Sequence, residues 1–256
     1  MNKVLYIKKV LPPFLFNFLK RIYENIAISK SDIYKKNNII IGALADPKWQ
    51  WQLTLLLENI KVPEKYKYLF KYSPDSRILV DCWANTWKVI DLARFCNMEV
   101  FAFEPNKDAI NLLHKKYNND DKVHLYPVAV SNKAWNTKFY SNLYDTYDEG
   151  ASIVEQWGKY CGSNQAYKVE IVRLVDTLNQ DILSKHDSIY ILKLDIEWAE
   201  FDVLEDIIES KIYEKIQYIV CETHERFFGK EGNKKLKKIK DLIEENNIKN
   251  IYLDWI

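Results

Sequence analysis

Glycine is scarce in this chain. Six glycines in 256 residues amount to about a third of the usual share of roughly 7%. Because glycine takes a left-handed backbone at no steric cost, a chain with so few has little means of turning tightly. Tryptophan, in contrast, occurs eight times. This composition excludes collagen-like and glycine-rich low-complexity chains, and the missing glycines become informative in the motifs below.

Closely spaced cysteines are also missing. The four cysteines stand far apart, with no C-x-x-C pair and no histidines at metal-ligand spacing: Cys82, Cys96, Cys161 and Cys221. This spacing excludes a disulfide scaffold and a zinc ribbon. A reducing compartment is the simplest interpretation, so we predict a cytoplasmic protein.

Neither sign of charge predominates, since 37 basic residues stand against 36 acidic ones. Nucleic-acid-binding proteins usually carry a basic excess, so we expect no nucleic-acid partner. Hydrophobic residues at 48% and charged residues at 29% are typical of a globular chain. At this length we expect one large α/β domain, or one domain with an N-terminal appendage.

The start of the chain lacks a hydrophobic run that could span a bilayer, which takes about 20 residues. The apolar run Val10 to Leu19 has ten residues and contains Pro12 and Pro13. The first thirty residues carry six basic side chains and one acidic one. Two interpretations of this basic region remain open: a segment resting on an anionic membrane surface, or a helix docked on the domain with its lysines in solvent. We predict a helical, basic extension over residues 1–76 and the main domain over residues 77–256.

From residue 77 onward, short apolar or β-branched runs alternate with helical patterns of ten or more residues. This alternation predicts a mostly parallel sheet with crossover helices on both faces. A helix over Trp51 to Ile60 precedes the sheet, and a last helix over Lys234 to Asn247 leads to a closing strand at Asn250 to Trp255. The other predicted strands are Arg77 to Cys82, Glu99 to Glu104, Lys122 to Val130, Ile189 to Asp195 and Ile216 to Glu222.

An acidic residue stands at the end of each of the first two predicted strands. Asp81 closes the first and Glu104 closes the second, 23 residues later. In open α/β sheets, ligands bind outside the carboxyl ends of the strands. A carboxylate about 20 residues past the first turn accepts hydrogen bonds from a ribose diol. The spacing therefore points to an adenosine-containing cofactor.

Five ordered motifs resemble those of a known family. They read ILVDCWAN (78–85), FAFEPN (101–106), PVAVS (127–131), LKLDIEWAE (192–200) and ETH (222–224). Over roughly residues 77–228 the chain resembles the FkbM family of S-adenosylmethionine-dependent methyltransferases. The resemblance implies a Rossmann-like class I methyltransferase fold and S-adenosylmethionine as cofactor. It also implies O-methylation of a hydroxyl on a sugar of a surface glycan or a related saccharide.

The resemblance further implies a cofactor site at the matching positions. The loop after the first strand would line the methionine side, the end of the second strand would bind the ribose, and the end of the third would lie near the adenine. Asp195, after the fourth motif strand, would border both the cofactor and the reacting centre. The matching residues are Asp81, Trp83, Ala84, Asn85 and Thr86 for methionine, Glu104 and Pro105 for ribose, and Ala129, Val130 and Ser131 for adenine.

Methyl transfer to a hydroxyl needs a group that takes the hydroxyl proton. His224 is the first candidate because an unperturbed imidazole titrates near neutrality, and Asp195 and Glu222 follow other strands and would converge on the same pocket. A histidine that only bonds a neighbouring loop would give the same pattern. Asp195, Glu197 and Glu222 could instead supply oxygen ligands to a divalent cation or cap the helix after Ala199. We predict no metal.

Tyrosines alternate with polar residues between Tyr140 and Tyr167. Aromatic rings among asparagine and aspartate suit stacking against sugar rings, which fits a saccharide acceptor. Packing within a loop would give the same composition. We keep a substrate lid over this segment as a hypothesis.

Tryptophan stands where the family has glycine. The family's first motif reads Asp-x-Gly-Ala-Asn-x-Gly and its fourth Asp-x-Glu-Gly-Ala-Glu, whereas Trp83, Trp87 and Trp198 occupy those glycine places here. Trp135 falls in a predicted turn where the family favours glycine. Three explanations are open. In the first, the source lineage reads UGA codons as glycine, and these codons were rendered as tryptophan. In the second, the indoles block the pocket of an inactive, glycan-associated binding module, and in the third the loops rearranged around ordinary core residues.

Overall fold

The structure is a computed structural model that describes residues 62–86, 88–142, 144, 150–155, 159, 162–197 and 199–255. Most of the predicted N-terminal extension, including the helix predicted over residues 51–60, lies outside these residues and stays a prediction. Its described end forms a 3-10 helix, Glu64–Leu69, that packs against the end of the chain. The ring of Tyr66 stacks on Trp255 with centroids 5.6 Å apart.

Six strands form one sheet in which every neighbouring pair is parallel. They are Ile78–Cys82 (β1), Glu99–Phe103 (β2), Val123–Tyr126 (β3), Ile189–Leu194 (β7), Ile216–Cys221 (β8) and Ile251–Tyr252 (β9), in the order β3-β2-β1-β7-β8-β9. A smaller sheet has the order β4-β6-β5, formed by Ala129–Ser131 (β4), Trp135–Ser141 (β5) and Gln165–Arg173 (β6). The predicted mostly parallel sheet is confirmed.

Five α-helices in the described ranges connect these strands. They are Lys88–Phe95 (α1), Lys107–Tyr117 (α2), Leu174–Thr177 (α3), Glu200–Glu209 (α4) and Gly229–Glu245 (α5). The start of α2 is fixed by Asn106, whose side-chain oxygen accepts hydrogen bonds from the N–H groups of Asp108 and Ala109, a common N-cap arrangement. Within the described residues, the helices all fall short of the length and apolarity needed to cross a membrane.

The two central strands are buried along their whole length. All five residues of β1 and all six of β7 are buried. Because successive side chains of a strand point to opposite faces, continuous burial means that both faces of the sheet are covered. This agrees with the predicted Rossmann-like α/β fold.

The order of the strands places a crevice at the centre of the sheet. The chain begins in the middle with β1, adds β2 and β3 on one side, and then returns to add β7, β8 and β9 on the other. At such a reversal the connections leave β1 and β7 in opposite directions, which opens a ligand crevice outside their carboxyl ends. Asp81 and Asp195 stand at this crevice.

Two local predictions are wrong. The single strand predicted over Lys122 to Val130 is two strands in different sheets, β3 and β4. Pro127 stands between them, and proline has no N–H to donate to a ladder. Trp135 is not in a turn: it opens β5 and pairs with Ile171 of β6.

Helix α5 packs closely on the segment that carries His224. A Cβ atom added to Gly232 would lie 2.7 Å from Glu225 Cα and 2.9 Å from its carbonyl carbon. A glycine-to-alanine change inside a helix normally stabilises by about 0.5–1 kcal/mol. We expect Gly232→Ala to destabilise instead, by about 1–3 kcal/mol, because backbone must move to admit the methyl group. Urea unfolding followed by circular dichroism measures the change.

The matched control for this prediction is Asn233→Ala, one residue along the same helix, where the side chain is exposed. We expect that variant to be neutral or slightly stabilised. An unchanged or higher urea midpoint for Gly232→Ala would contradict the close packing.

Candidate active site

A buried lysine joins the ends of the two central strands. Lys193 of β7 lies beside Asp81 of β1 in the sheet register, and its Nζ is 3.1 Å from Asp81 Oδ1 and 3.3 Å from Asp195 Oδ2. It also donates to the carbonyl of Trp83 at 3.4 Å. Burial alone would lower the pKa of Lys193, but the two carboxylates raise it, so the ammonium stays charged.

The loop after β1 folds back over the end of β2. The N–H groups of Trp83 and Ala84 both donate to the carbonyl of Phe103, at 3.0 and 3.1 Å. Trp83 and Asn85 have left-handed backbones, with φ of 92° and 43°. These bonds and dihedral angles fix residues 83–85 at the carboxyl end of β1, and Thr86 follows them.

Glu104 holds this loop to the start of α2. One of its carboxylate oxygens accepts the N–H of Asn85 at 2.7 Å, and the other accepts the N–H of Asn106 at 2.6 Å. The side chain is almost fully buried. Burial raises the pKa of Glu104 to about 7, although the two N–H bonds act in the opposite direction. Each oxygen keeps a second lone pair, so the carboxylate can accept further hydrogen bonds.

An apolar cavity lies next to Glu104, between the loop and the smaller sheet. Its free volume is only about 10 Å³, far below the roughly 300–1,000 Å³ of typical ligand pockets. The indole of Trp83 takes part of the space and packs on Phe139 with centroids 5.7 Å apart. The cavity is lined by Trp83, Phe103, Pro105, Val128, Ala129, Val130, Ile153 and Ile196.

The backbone at Trp83 has a conformation that suits glycine. A φ of 92° is an outlier for a bulky residue. The indole Nε1 is also buried without a hydrogen-bond partner, whereas a buried indole N–H usually has one. Both observations indicate a position built for glycine, as the resemblance implies. Trp87 and Trp198 lie outside the described residues.

A second group of polar residues lies at the carboxyl ends of β7 and β8. His224 pairs through Nδ1 with Glu200, and its Nε2 is 3.3 Å from Glu197 Oε2 and 3.7 Å from Glu222 Oε1. Glu222 in turn accepts a hydrogen bond from Arg226 at 3.0 Å. With Asp195 these residues form one cluster, so the three predicted catalytic side chains, His224, Asp195 and Glu222, are brought together.

The carboxylates around His224 shift its titration. Burial alone would lower the pKa of His224, but its hydrogen bond with Glu200 and the charges of Glu200 and Glu197 raise the pKa to about 9. Burial raises the pKa of Glu197 to about 8. In the protein without ligands, the imidazole therefore carries a proton at neutral pH and offsets the surrounding negative charge.

Sequence reasoning assigned no role to Glu200 and Lys193. Glu200 is fully buried at the start of α4. The feature of the sequence that could have indicated it is its position as the last acidic residue of the fourth motif. Lys193 stands in an otherwise apolar strand, where a cation needs a carboxylate partner. Ser152 was also missed; its hydroxyl donates to the carbonyl of Glu197 at 2.8 Å.

Comparison with protein families places the chain among methyltransferases. The model of the methyltransferase FkbM domain matches residues 70–249. The matched region contains the loop after β1, Glu104 and the cluster around His224. No curated protein and no solved structure matches the chain.

The pairing of Lys193 with two carboxylates leads to a stability prediction. We expect Lys193→Met to destabilise the protein by about 3–5 kcal/mol, because it leaves buried carboxylate charge uncompensated. Lys235→Met is the matched control: Lys235 lies 3.1 Å from Asp202, the same distance as Lys193 from Asp81, but both side chains of that pair are partly open to solvent. We expect the control to change stability by less than about 1 kcal/mol.

Chemical denaturation of both variants measures these differences. Equal losses of stability in Lys193→Met and Lys235→Met would contradict a special role of the buried ammonium.

Proposed function

Because this chain belongs to the FkbM methyltransferase family, we propose that it transfers a methyl group from S-adenosylmethionine to a hydroxyl of a saccharide. The observation that carries the proposal is the position of Glu104. Its buried carboxylate stands at the end of β2, bonded to the loop that follows β1. This is the place where open α/β sheets bind the ribose of a nucleotide cofactor.

The polar groups at the crevice suit the proposed cofactor. Glu104 has acceptor capacity for a ribose diol, and Ala129 and Val130 offer an apolar wall to adenine. Oδ2 of Asp81 is buried and has no hydrogen-bond donor, so it can accept one from the amino-acid part. The indole of Trp83 is the one described group that does not suit the cofactor, because it fills space beside these residues.

S-adenosylmethionine, when bound, supplies an electrophilic methyl group on a positively charged sulfur. The protein has to hold the acceptor hydroxyl in line with that methyl group and receive its proton. The cluster of Asp195, Glu197, Glu222 and His224 offers acceptor atoms within 3.7 Å of His224 Nε2. A hydroxyl bound there donates a hydrogen bond to the cluster. The negative carboxylates of the cluster also favour a positively charged neighbour such as the sulfur of the cofactor. That His224 itself is the base stays a prediction.

The described tyrosines give some support for a saccharide acceptor. Tyr144 is highly exposed, at 87%, and therefore free to stack on a sugar ring. Tyr167 is engaged within the protein: its ring packs on Phe139 and lies 4.6 Å from Lys107 Nζ. Tyr140 lies in β5 and pairs with Ala166 of β6, and the tyrosines at 147 and 160 lie outside the described residues.

A second candidate function rests on Trp83 itself. A chain whose cofactor pocket is filled by a genuine indole would keep the fold and bind a glycan without methylating it. The buried position of Trp83, at 8% exposure, supports this alternative as long as residue 83 is a tryptophan in the natural protein.

Replacing Trp83 separates the two functions. We expect Trp83→Gly to tighten binding of S-adenosylmethionine by about tenfold or more, because it frees cavity volume and relieves the left-handed tryptophan. Trp135→Gly is the matched control: it removes the same indole from β5, outside the cavity, and we expect little change in affinity. Isothermal titration calorimetry gives both affinities, and transfer of a radiolabelled methyl group to a panel of saccharides tests the reaction.

Failure of Trp83→Gly to bind the cofactor or transfer the label, in a folded protein, would contradict the methyltransferase proposal. The coding DNA supplies an independent check. A UGA codon at position 83 indicates glycine in the natural protein, and a UGG codon favours the filled pocket.

The pKa of Glu104 gives a pH dependence for cofactor binding. With a pKa of about 7, Glu104 is ionised above neutral pH and protonated below it. An ionised carboxylate accepts both ribose hydrogen bonds, so in Trp83→Gly we expect affinity to fall as the pH drops below 7, by roughly tenfold per unit well below the pKa. Glu104→Gln should bind more weakly and lose this pH dependence. Calorimetry between pH 5.5 and 8.5 provides the measurement. An affinity of Trp83→Gly for the cofactor that does not change with pH would contradict a contact between Glu104 and the ribose.

A further inference from the structure

We propose that Asp195, Glu197 and His224 form a binding site for one divalent cation at the carboxyl ends of β7 and β8. The role of this cation in catalysis rests on the proposed function, since it would hold the acceptor hydroxyl. Its binding can be measured without cofactor or acceptor. The sequence suggested Asp195, Glu197 and Glu222 as a possible oxygen set; the structure places His224 in the position of the third ligand.

The three side chains present their ligand atoms close together. One carboxylate oxygen each of Asp195 and Glu197 and one ring nitrogen of His224 all lie within 4.8 Å of one another. Ligand atoms bound to one cation at about 2.1 Å stand roughly 3–4 Å apart. A small contraction therefore brings all three into a coordination sphere.

The orientation of His224 is set by a residue outside the set of ligands. Its Nδ1 is paired with Glu200, which is fully buried at the start of α4. This leaves Nε2 directed at Glu197, 3.3 Å away. A carboxylate that holds the far nitrogen of a histidine is the usual companion of a histidine bound to a metal.

Glu197 adds a second observation. Its Oε2 is buried without a hydrogen bond; the ring nitrogen nearest to it, His224 Nε2 at 3.3 Å, is the other proposed ligand atom, and the residue as a whole is 8% exposed. Its backbone is left-handed, with φ of 52°, and the hydroxyl of Ser152 holds its carbonyl. Strained backbone of this kind persists where the surrounding structure enforces it, often at ligand sites.

Two nearby cations already pair with carboxylates of this cluster. Lys193 is shared between Asp81 and Asp195, and Arg226 bonds Glu222. Because Glu222 is engaged with Arg226 and lies 3.7 Å from His224 Nε2, we leave it out of the ligand set.

The donor set also indicates the class of cation. One imidazole with two carboxylates suits Mn²⁺ or Zn²⁺ better than Ca²⁺, which takes oxygen ligands only. Three protein ligands leave coordination positions for water or for an acceptor hydroxyl. We choose Mn²⁺ as the probe because its paramagnetism reports binding directly.

The experiment titrates Mn²⁺ into the metal-free, full-length protein and follows the relaxation rate of water protons. We expect one bound Mn²⁺ per chain, and at least about tenfold weaker binding in Glu197→Gln and His224→Gln. His124→Gln is the matched control. His124 also pairs with a glutamate, Glu99, at 2.8 Å, and His186 stands 4.0 Å from that carboxylate, but among the described residues these side chains do not form a close three-ligand group. We expect this variant to bind Mn²⁺ as the parent protein does.

Glu200→Gln tests the positioning of His224. It keeps all three ligands but weakens the hold on Nδ1, so we expect binding about tenfold weaker or more. Circular dichroism verifies the fold of each variant, and Asp195→Asn replaces any variant that fails to fold.

Two results would overturn the proposal: no Mn²⁺ bound to the parent protein, or binding that Glu197→Gln, His224→Gln and Asp195→Asn leave unchanged. Calorimetry with S-adenosylmethionine on Trp83→Gly distinguishes failure of the cation site from failure of the proposed methyltransferase function. Cofactor binding without Mn²⁺ binding removes the cation site alone, whereas Mn²⁺ binding without cofactor binding keeps the site and removes the proposed role in methyl transfer.

Discussion

The whole site depends on the ammonium of Lys193 between Asp81 and Asp195. Buried charges are tolerated only when partners surround them, and here one cation serves a carboxylate from each side of the crevice. The same ammonium bonds the carbonyl of Trp83. Lys193 thus fixes the loop after β1 and the loop after β7 relative to one another, and the distance between the two halves of the site follows from it.

The two halves achieve their geometry in different ways. On the β1 and β2 side, backbone groups are decisive: N–H groups bond Phe103 and Glu104, and two residues take left-handed dihedral angles. On the β7 and β8 side, side chains pair with one another, as His224 does with Glu200 and Glu197. The β1 and β2 side thus forms a pocket of fixed shape, and the β7 and β8 side forms a charged cluster. Such a pair of sites suits a reaction in which shape selects one reactant and polar contacts orient the other.

The sequence predicted which strand ends carry polar residues, because apolar runs mark strands and the residue after each run lies at the same edge. It did not predict the partners made there. Glu200 is 24 residues from His224 on another element, and no spacing rule links them. The break between β3 and β4 at Pro127 was missed because the apolar pattern continues through this residue. Proline has no N–H to donate to the sheet, and this separates the two strands. The left-handed Glu197 depends on a contact with Ser152, 45 residues away.

The backbone at Trp83 argues against one of the three explanations, a loop that rearranged around an ordinary core residue. Had the loop adapted to an indole, its backbone would have left the left-handed region, which is unfavourable for a large side chain by about 1–3 kcal/mol. It stays there because the N–H groups of residues 83 and 84 bond Phe103 and that of Asn85 bonds Glu104. Trp135 behaves differently, since it sits in a regular ladder with Ile171. The glycine geometry therefore belongs to the loop at position 83 and does not extend to every tryptophan in the chain.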